Sequence, residues 1–196
     1  MLIEHRGARP TVPFSAYVAP NAVLCGDVTL GEECQVLFGA VITAEGGPVV
    51  LGERCVVMEH ALIRGREGHA TTLGDYVVVG PHAHLNGVTI GNEAFIATGA
   101  SAFPGARIGA RAEVRINGVV HVNSTLPDDG VVPIAWVAVG DEVLPPDRHD
   151  RIWEIQEQLD FPGTVFGLER EKATMREVTR RYAKLFGRHR DDQVRY

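Results

Sequence analysis

No run of 18 apolar residues occurs anywhere in the chain, so nothing in it reads as a membrane-spanning helix. The opening residues, MLIEHRGARP, lack the apolar core of a secretory signal, and a cytoplasmic location is expected. Cysteine is scarce, and Cys25, Cys34 and Cys55 form neither a CxxC pair nor an even framework. They read as reduced thiols in small core positions rather than as ligands or a disulfide. Positive charge is short too. At a formal net charge of −6 the chain lacks the basic face of a duplex nucleic-acid binder. The C-terminal arginines (Arg176, Arg180, Arg181, Arg188, Arg190, Arg195) are interleaved with acids, as on a solvated helix face. What remains is ordinary globular material, 45 % hydrophobic and 22 % charged over 196 residues, enough for one domain and a modest appendage.

The positive signal is a repeat. Aliphatic-Gly pairs recur at Leu30-Gly31, Leu51-Gly52, Leu73-Gly74, Ile90-Gly91 and Ile108-Gly109, at spacings of 21, 22, 17 and 18. Between them an aliphatic residue returns about every sixth position, as in Leu24, Leu30, Val36 and Ile42. Neither the helical period nor the simple strand period accounts for this. A six-residue unit, three to a coil, does: one short strand and a turn, with the aliphatic residue inward and a small residue four places on. The pattern predicts a mainly β fold, a parallel β-helix in which stacked coils complete a core that no single coil can bury. The two long spacings place insertions near 44–48 (AEGGP) and 65–71 (GREGHAT), as loops that either carry binding residues or merely decorate the surface.

The repeat is expected to occupy residues 1–122, with 123–196 forming an irregular wrap and C-terminal helices. Helical spacing recurs in 147–159 (Ile152, Ile155, Gln156, Leu159) and 174–186 (Met175, Val178, Tyr182, Leu185), with Gly187 as a stop. Trp153 and the FPGTVFG stretch between them read as packing.

The stretch SAYVAPNAVLCGDVTLGE (15–32), followed by hexads and C-terminal helices, resembles the γ-class carbonic anhydrase-like branch of the hexapeptide-repeat superfamily. The resemblance spans roughly residues 1 to 170. It implies a left-handed β-helix, a homotrimer and sites in the clefts between subunits. It also implies three zinc histidines, two of them in a stretch reading Gly-His-x-x-x-x-His-Gly. Here that stretch is Gly80-Pro81-His82-Ala83-His84-Leu85-Asn86-Gly87, and the third position falls on Arg64. Proline, asparagine and a permanently charged guanidinium are unsuited to zinc. The usual zinc site is therefore not expected.

A replacement site is suggested by stacking. Leu51 and Leu73 are equivalent points 22 residues apart, and the same offset sets Ile63 under Leu85, Arg64 under Asn86 and His60 under His82. Neighbouring coils lie about 4.8 Å apart. His82 and His84 point the same way if their strand is regular. His60, His82 and His84 are thus candidate ligands for Zn2+ or another divalent transition metal, with Arg64, His84 and Asn86 as candidate catalytic residues and His69 within reach on its loop. The alternative is a set of hydrogen-bonded interface histidines. Three functions stay open: a metal- or His-dependent hydratase or hydrolase of a small carbonyl substrate, with efficient CO2 hydration the least expected; an acyltransferase using acetyl-CoA or another acyl-CoA; and a non-catalytic scaffold or small-ligand-binding trimer.

Overall fold

Six-residue units set the frame. The computed structural model describes residues 1–195, which wind into a β-solenoid of about eight turns followed by short helices. Each coil contributes one short strand to each of three parallel faces. On one face the inward positions Leu24, Ile42, Ile63, Leu85, Ala102, Val120 and Ala138 stack in register. All are buried, as are the equivalent residues of the other two faces apart from the half-buried Val18 of the first coil. The small residues predicted four places on, such as Cys34, Cys55, Ala83 and Ala100, are buried with them. Cys34 and Cys55 donate their thiols to Gly52 and Gly74 carbonyls at 3.1 Å, so both serve as packing thiols.

Corners fix the pitch. Left-handed backbone, with φ between 52° and 61°, returns at six-residue steps in Arg54 and His60, in Tyr76 and His82, and in Arg111, Asn117, Asn123, Asp129 and Ala135. That conformation costs an L residue about 1–2 kcal/mol, and side-chain acceptors help offset it. Asn21, Asp75, Asn92 and Asp128 each accept a backbone N–H from an adjacent coil. These turns and parallel rungs fit the left-handed β-helix.

The coils do not stop at Val122. Thr125–Leu126, Val131–Val132 and Val137–Val139 continue the parallel ladders, and Leu126, Val132 and Ala138 are buried in the inward slots. Proline masked the repeat in the sequence. Pro127 and Pro133 directly follow inward residues, a place where Gly109 and Arg115 one coil below donate N–H to Leu126 and Val132. A residue without an N–H fits only where no further coil needs that bond. The last coil is such a place, and its first face is closed by the antiparallel strand Glu142–Leu144.

The chain then returns along the first face as α1 (His149–Gln156), α2 (Phe161–Phe166) and α3 (Met175–Phe186). Both expected helices form, the first shorter than its pattern, and FPGTVF adds a third. Thr174 caps α3 by accepting the Glu177 N–H. Ile152 and Val178 are buried, whereas Trp153 and Met175 stand out at 60 % and 62 % exposure, so packing does not account for Trp153. The tail ends as strand Gln193–Arg195, antiparallel to Leu2–Glu4 at the opposite end of the prism. Of the segment 123–196, Tyr196 lies outside the described residues. No helix among the described residues is long and apolar enough to cross a membrane.

Truncating one inward slot tests the frame. Ile63→Ala, at a fully buried position, is expected to cost about 2–5 kcal/mol in urea unfolding. Val131→Thr, at an exposed position of the same coil system, is expected to stay within about 0.5 kcal/mol.

Candidate active site

Strands Val41–Glu45 and Leu62–Arg66 are five residues long where most others have two or three, because the insertions extend the first face beyond the prism edge. They pair over their whole length, from Val41↔Leu62 to Glu45↔Arg66. His69 turns back to bridge Arg66. The inserted residues therefore form a ledge, and α2 and α3 face it across a cavity of about 700 Å³. Glu45, Arg64, Arg66, His69 and Asn86 line it from the sheet side, and Phe166, Tyr182, Lys184, Phe186 and Arg188 from the helices.

Arg64 and Asn86 are register partners on adjacent strands, as the 22-residue offset predicts. Arg64 Nε and Asn86 Oδ1 are both buried and have no hydrogen-bond partner. A buried polar atom left unpaired costs about 1–3 kcal/mol. The Arg64 guanidinium lies 5.7 Å from the Phe186 ring centroid, which offers a π face but no acceptor. Thr71, fully buried, fixes this spot: its hydroxyl donates to the Arg64 carbonyl at 2.5 Å and accepts the Gly87 N–H at 2.9 Å. Gly87 is obligatory there. A Cβ at its φ of +63° would sit 2.7 Å from His69 Cβ.

The cavity is electropositive. Five cations (Arg64, Arg66, Arg181, Lys184, Arg188) face two carboxylates, Glu45 and Glu67. Arg66 and Arg181 are held by backbone carbonyls of α2 and its C-cap, Arg66 by Val165 and Arg181 by Phe166 and Gly167. Burial, and next the Arg64 charge acting against the pull of Tyr182, lowers the Arg66 pKa. Burial and Arg66 lower that of His69, and burial and Arg64 that of His84. Both imidazoles are thereby kept neutral around pH 7.

The expected histidines are divided. His60 and His82 stack with ring centroids 5.3 Å apart and planes 11° from parallel, but both are exposed at left-handed corners. An added Cβ at Gly39, the corner below, would lie 2.5 Å from the His60 ring, so the column is tightly layered. His84 begins the next strand, opposite Leu62 and Ser101, with its ring edge-on to Phe103 at 5.8 Å. A corner separates His82 from His84, so the condition of one regular strand is not met. It shares the outward face with Arg64 and Asn86 by alternation, one step from the cavity. Among the described residues, the group of three or more His, Cys, Asp or Glu donors close enough for one ion is a different one, His5, Cys25, His189 and Asp192. Sequence reasoning missed the helix side of the cavity, since nothing local ties Tyr182 or Phe186 to Arg64.

No protein-family model matches the chain. A mitochondrial γ carbonic anhydrase 1 of Arabidopsis thaliana is 29 % identical over 128 residues, covering 62 % of this chain and 46 % of the relative. A carbonic anhydrase of Geobacillus kaustophilus is 26 % identical over 109 residues, 56 % of this chain and 60 % of the relative. The chain thus spans about half the length of the curated relatives it matches. Among solved structures, an acetyltransferase candidate from Bacillus cereus superposes with a TM-score of 0.64 at 24 % identity, over 80 % of this chain and 90 % of that one, which speaks to the fold. PerB from Caulobacter crescentus, in complex with CoA and GDP-perosamine, gives 0.53 at 28 % identity over 65 % and 56 %. With its three ladders and six-residue corners, the chain is a β-solenoid that fits a left-handed β-helix, and its sequence is similar to γ carbonic anhydrases.

Proposed function

We propose that this protein, as a cytoplasmic homotrimer, binds a small anionic carbonyl compound in the Arg64–Asn86 cavity and hydrates or hydrolyses it. One observation carries the reading: two adjacent buried polar atoms, Arg64 Nε and Asn86 Oδ1, lack partners and line a cavity with a surplus of positive charge. Arg64 supplies a donor for the substrate anion or the developing oxyanion, and Asn86 an acceptor that orients a water or substrate hydroxyl. Water adds to the carbonyl carbon as the neutral imidazole of His69 accepts its proton; the imidazolium then returns that proton to the oxyanion to give the hydrate or, in hydrolysis, to the leaving oxygen as its bond to carbon breaks, with His84 beside Arg64 as a second imidazole. The residues at the implied zinc positions do not fit that ion: Arg64 is cationic, Pro81 has no donor atom in its side chain, and the Asn86 amide is a poor zinc ligand. No step is routed through zinc, and CO2 hydration is expected at background rate.

His60, His82 and His84 enter this reading as ligands only if a neighbouring subunit completes the set, supported by the two imidazoles already stacked at 5.3 Å. A second reading, acyl transfer from acetyl-CoA, is favoured by the 28 % identity to the CoA-bound Caulobacter enzyme.

Turnover of small oxo-acids and their esters is expected to fall about 10²–10³-fold in Arg64→Met and about 10²–10⁴-fold in His69→Gln. Because burial and Arg66 lower the His69 pKa, the neutral base persists below pH 6.5, and the acid limb of the rate profile should lie under that value. Unchanged turnover in both variants sinks the reading. Thermal shifts decide between ligands. Stabilisation by oxo-acids, lost in Arg64→Met, supports the first function, whereas stabilisation by acetyl-CoA alone replaces it with acyl transfer. Sedimentation equilibrium should return three times the 21.3 kDa chain mass. Metal retained undiminished in His82→Ala and His84→Ala would remove both of these histidines from any metal role.

A further inference from the structure

The first coil and the last residues of the chain meet in a group of donors that the cavity does not use. His5 follows the first strand, and Cys25 ends the strand above it, where Ile3 and Cys25 are register partners. From the other end of the sequence, His189 lies on the turn after α3, and Asp192 directly follows it. One donor atom from each of the four falls within 4.8 Å of every other. His5 Nδ1 is 2.6 Å and His189 Nδ1 2.7 Å from the Asp192 carboxylate, and Cys25 Sγ is 3.7 Å from it. The two imidazole rings stack at 4.3 Å. His5 and Cys25 are almost completely buried, at 3 % and 4 % exposure.

Independently of the function proposed for the cavity, we propose that His5, Cys25, His189 and Asp192 form a structural zinc site that fastens the C-terminal tail to the first coils. Two nitrogens, a sulfur and a carboxylate oxygen make a four-donor set that suits tetrahedral Zn2+ and is poor for Mg2+ or Ca2+. The outer partners are also in place. Glu45, itself buried, takes His189 Nε2 at 3.0 Å and is held by the Thr43 hydroxyl at 2.9 Å. This carboxylate–imidazole pair turns His189 Nδ1 toward Asp192 and Cys25, the orientation that metal-bound histidines commonly show. Burial first, then the Asp192 and Glu45 carboxylates, push the Cys25 thiol up to about 12. A divalent ion neutralises the same crowd of negative charge. Binding breaks the S–H bond and any Nδ1–H bond at the site, releases those protons to solvent and changes no oxidation state. Because α3 runs directly into His189, the ion also anchors the helix that carries Tyr182 and Phe186 over the cavity.

The test uses the untagged full-length chain, loaded with zinc, freed of excess by gel filtration and assayed by elemental analysis. About one zinc per chain is expected in the wild type and in His82→Ala, and at least a tenfold lower content in Cys25→Ser and Asp192→Asn. Glu45→Gln should weaken zinc affinity about 10–100-fold. With Co2+ in place of zinc, a thiolate-to-metal absorption band is expected in the wild type and absent in Cys25→Ser. Since Asp192 lies at the tail, Asp192→Asn should leave the circular dichroism of the solenoid intact even if Cys25→Ser fails to fold. Trypsin cleavage after Arg188 and Arg190 should slow with zinc in the wild type and not in Asp192→Asn. A wild type that retains no zinc, or a content equal in Asp192→Asn and wild type, overturns the proposal. Neither result bears on the Arg64 and His69 variants.

Discussion

A single coil of this chain cannot bury its own aliphatic residues, and everything else follows from that. Three inward side chains per turn find cover only in the turns above and below, so the coils must stack in register, about 4.8 Å apart. Register then becomes the precision instrument of the molecule. It sets Arg64 directly beside Asn86 and layers the His60 ring on His82 without any dedicated contact having to arrange them. Outward positions are free of the packing requirement, and the chemistry of the chain is written there.

The same constraint decided what was legible in the sequence. Inward positions follow a strict six-residue beat, so the fold, the faces and the Arg64–Asn86 pairing were readable from spacing alone. The beat was lost after Val122 because Pro127 and Pro133 looked like loop residues, although Leu126, Val132 and Ala138 kept time. His82 and His84 misled for a related reason. Two residues apart in a strand they would share a face, but the left-handed corner at His82 intervenes. The helix side of the cavity was out of reach. Tyr182 and Phe186 come near Arg64 only because the chain folds back along the whole prism, and a contact across more than a hundred residues leaves no local trace.

Electrostatics divides the outer surface into different tasks. Exposed pairs such as Arg54–Glu33 and Arg111–Asp129 bind coil to coil at the corners and contribute little each. At the ledge the balance is reversed, with guanidiniums crowded at Arg64 and Arg66 and imidazoles held neutral nearby. At the first coil it is reversed again, where Glu45 and Asp192 outweigh the groups around a buried thiol. Glu45 belongs to both of the latter environments, bordering the cavity while holding His189.

The prolines of the last coil and the returning strand Gln193–Arg195 have a meaning beyond this one chain. A β-helix is an open stack, and each end exposes a row of backbone groups on which another copy could grow. Pro127 and Pro133 remove donors at one end, the Glu142–Leu144 strand occupies the first face there, and the antiparallel tail strand occupies the edge of Leu2–Glu4 at the other. These features leave fewer open rungs on which another copy could pair.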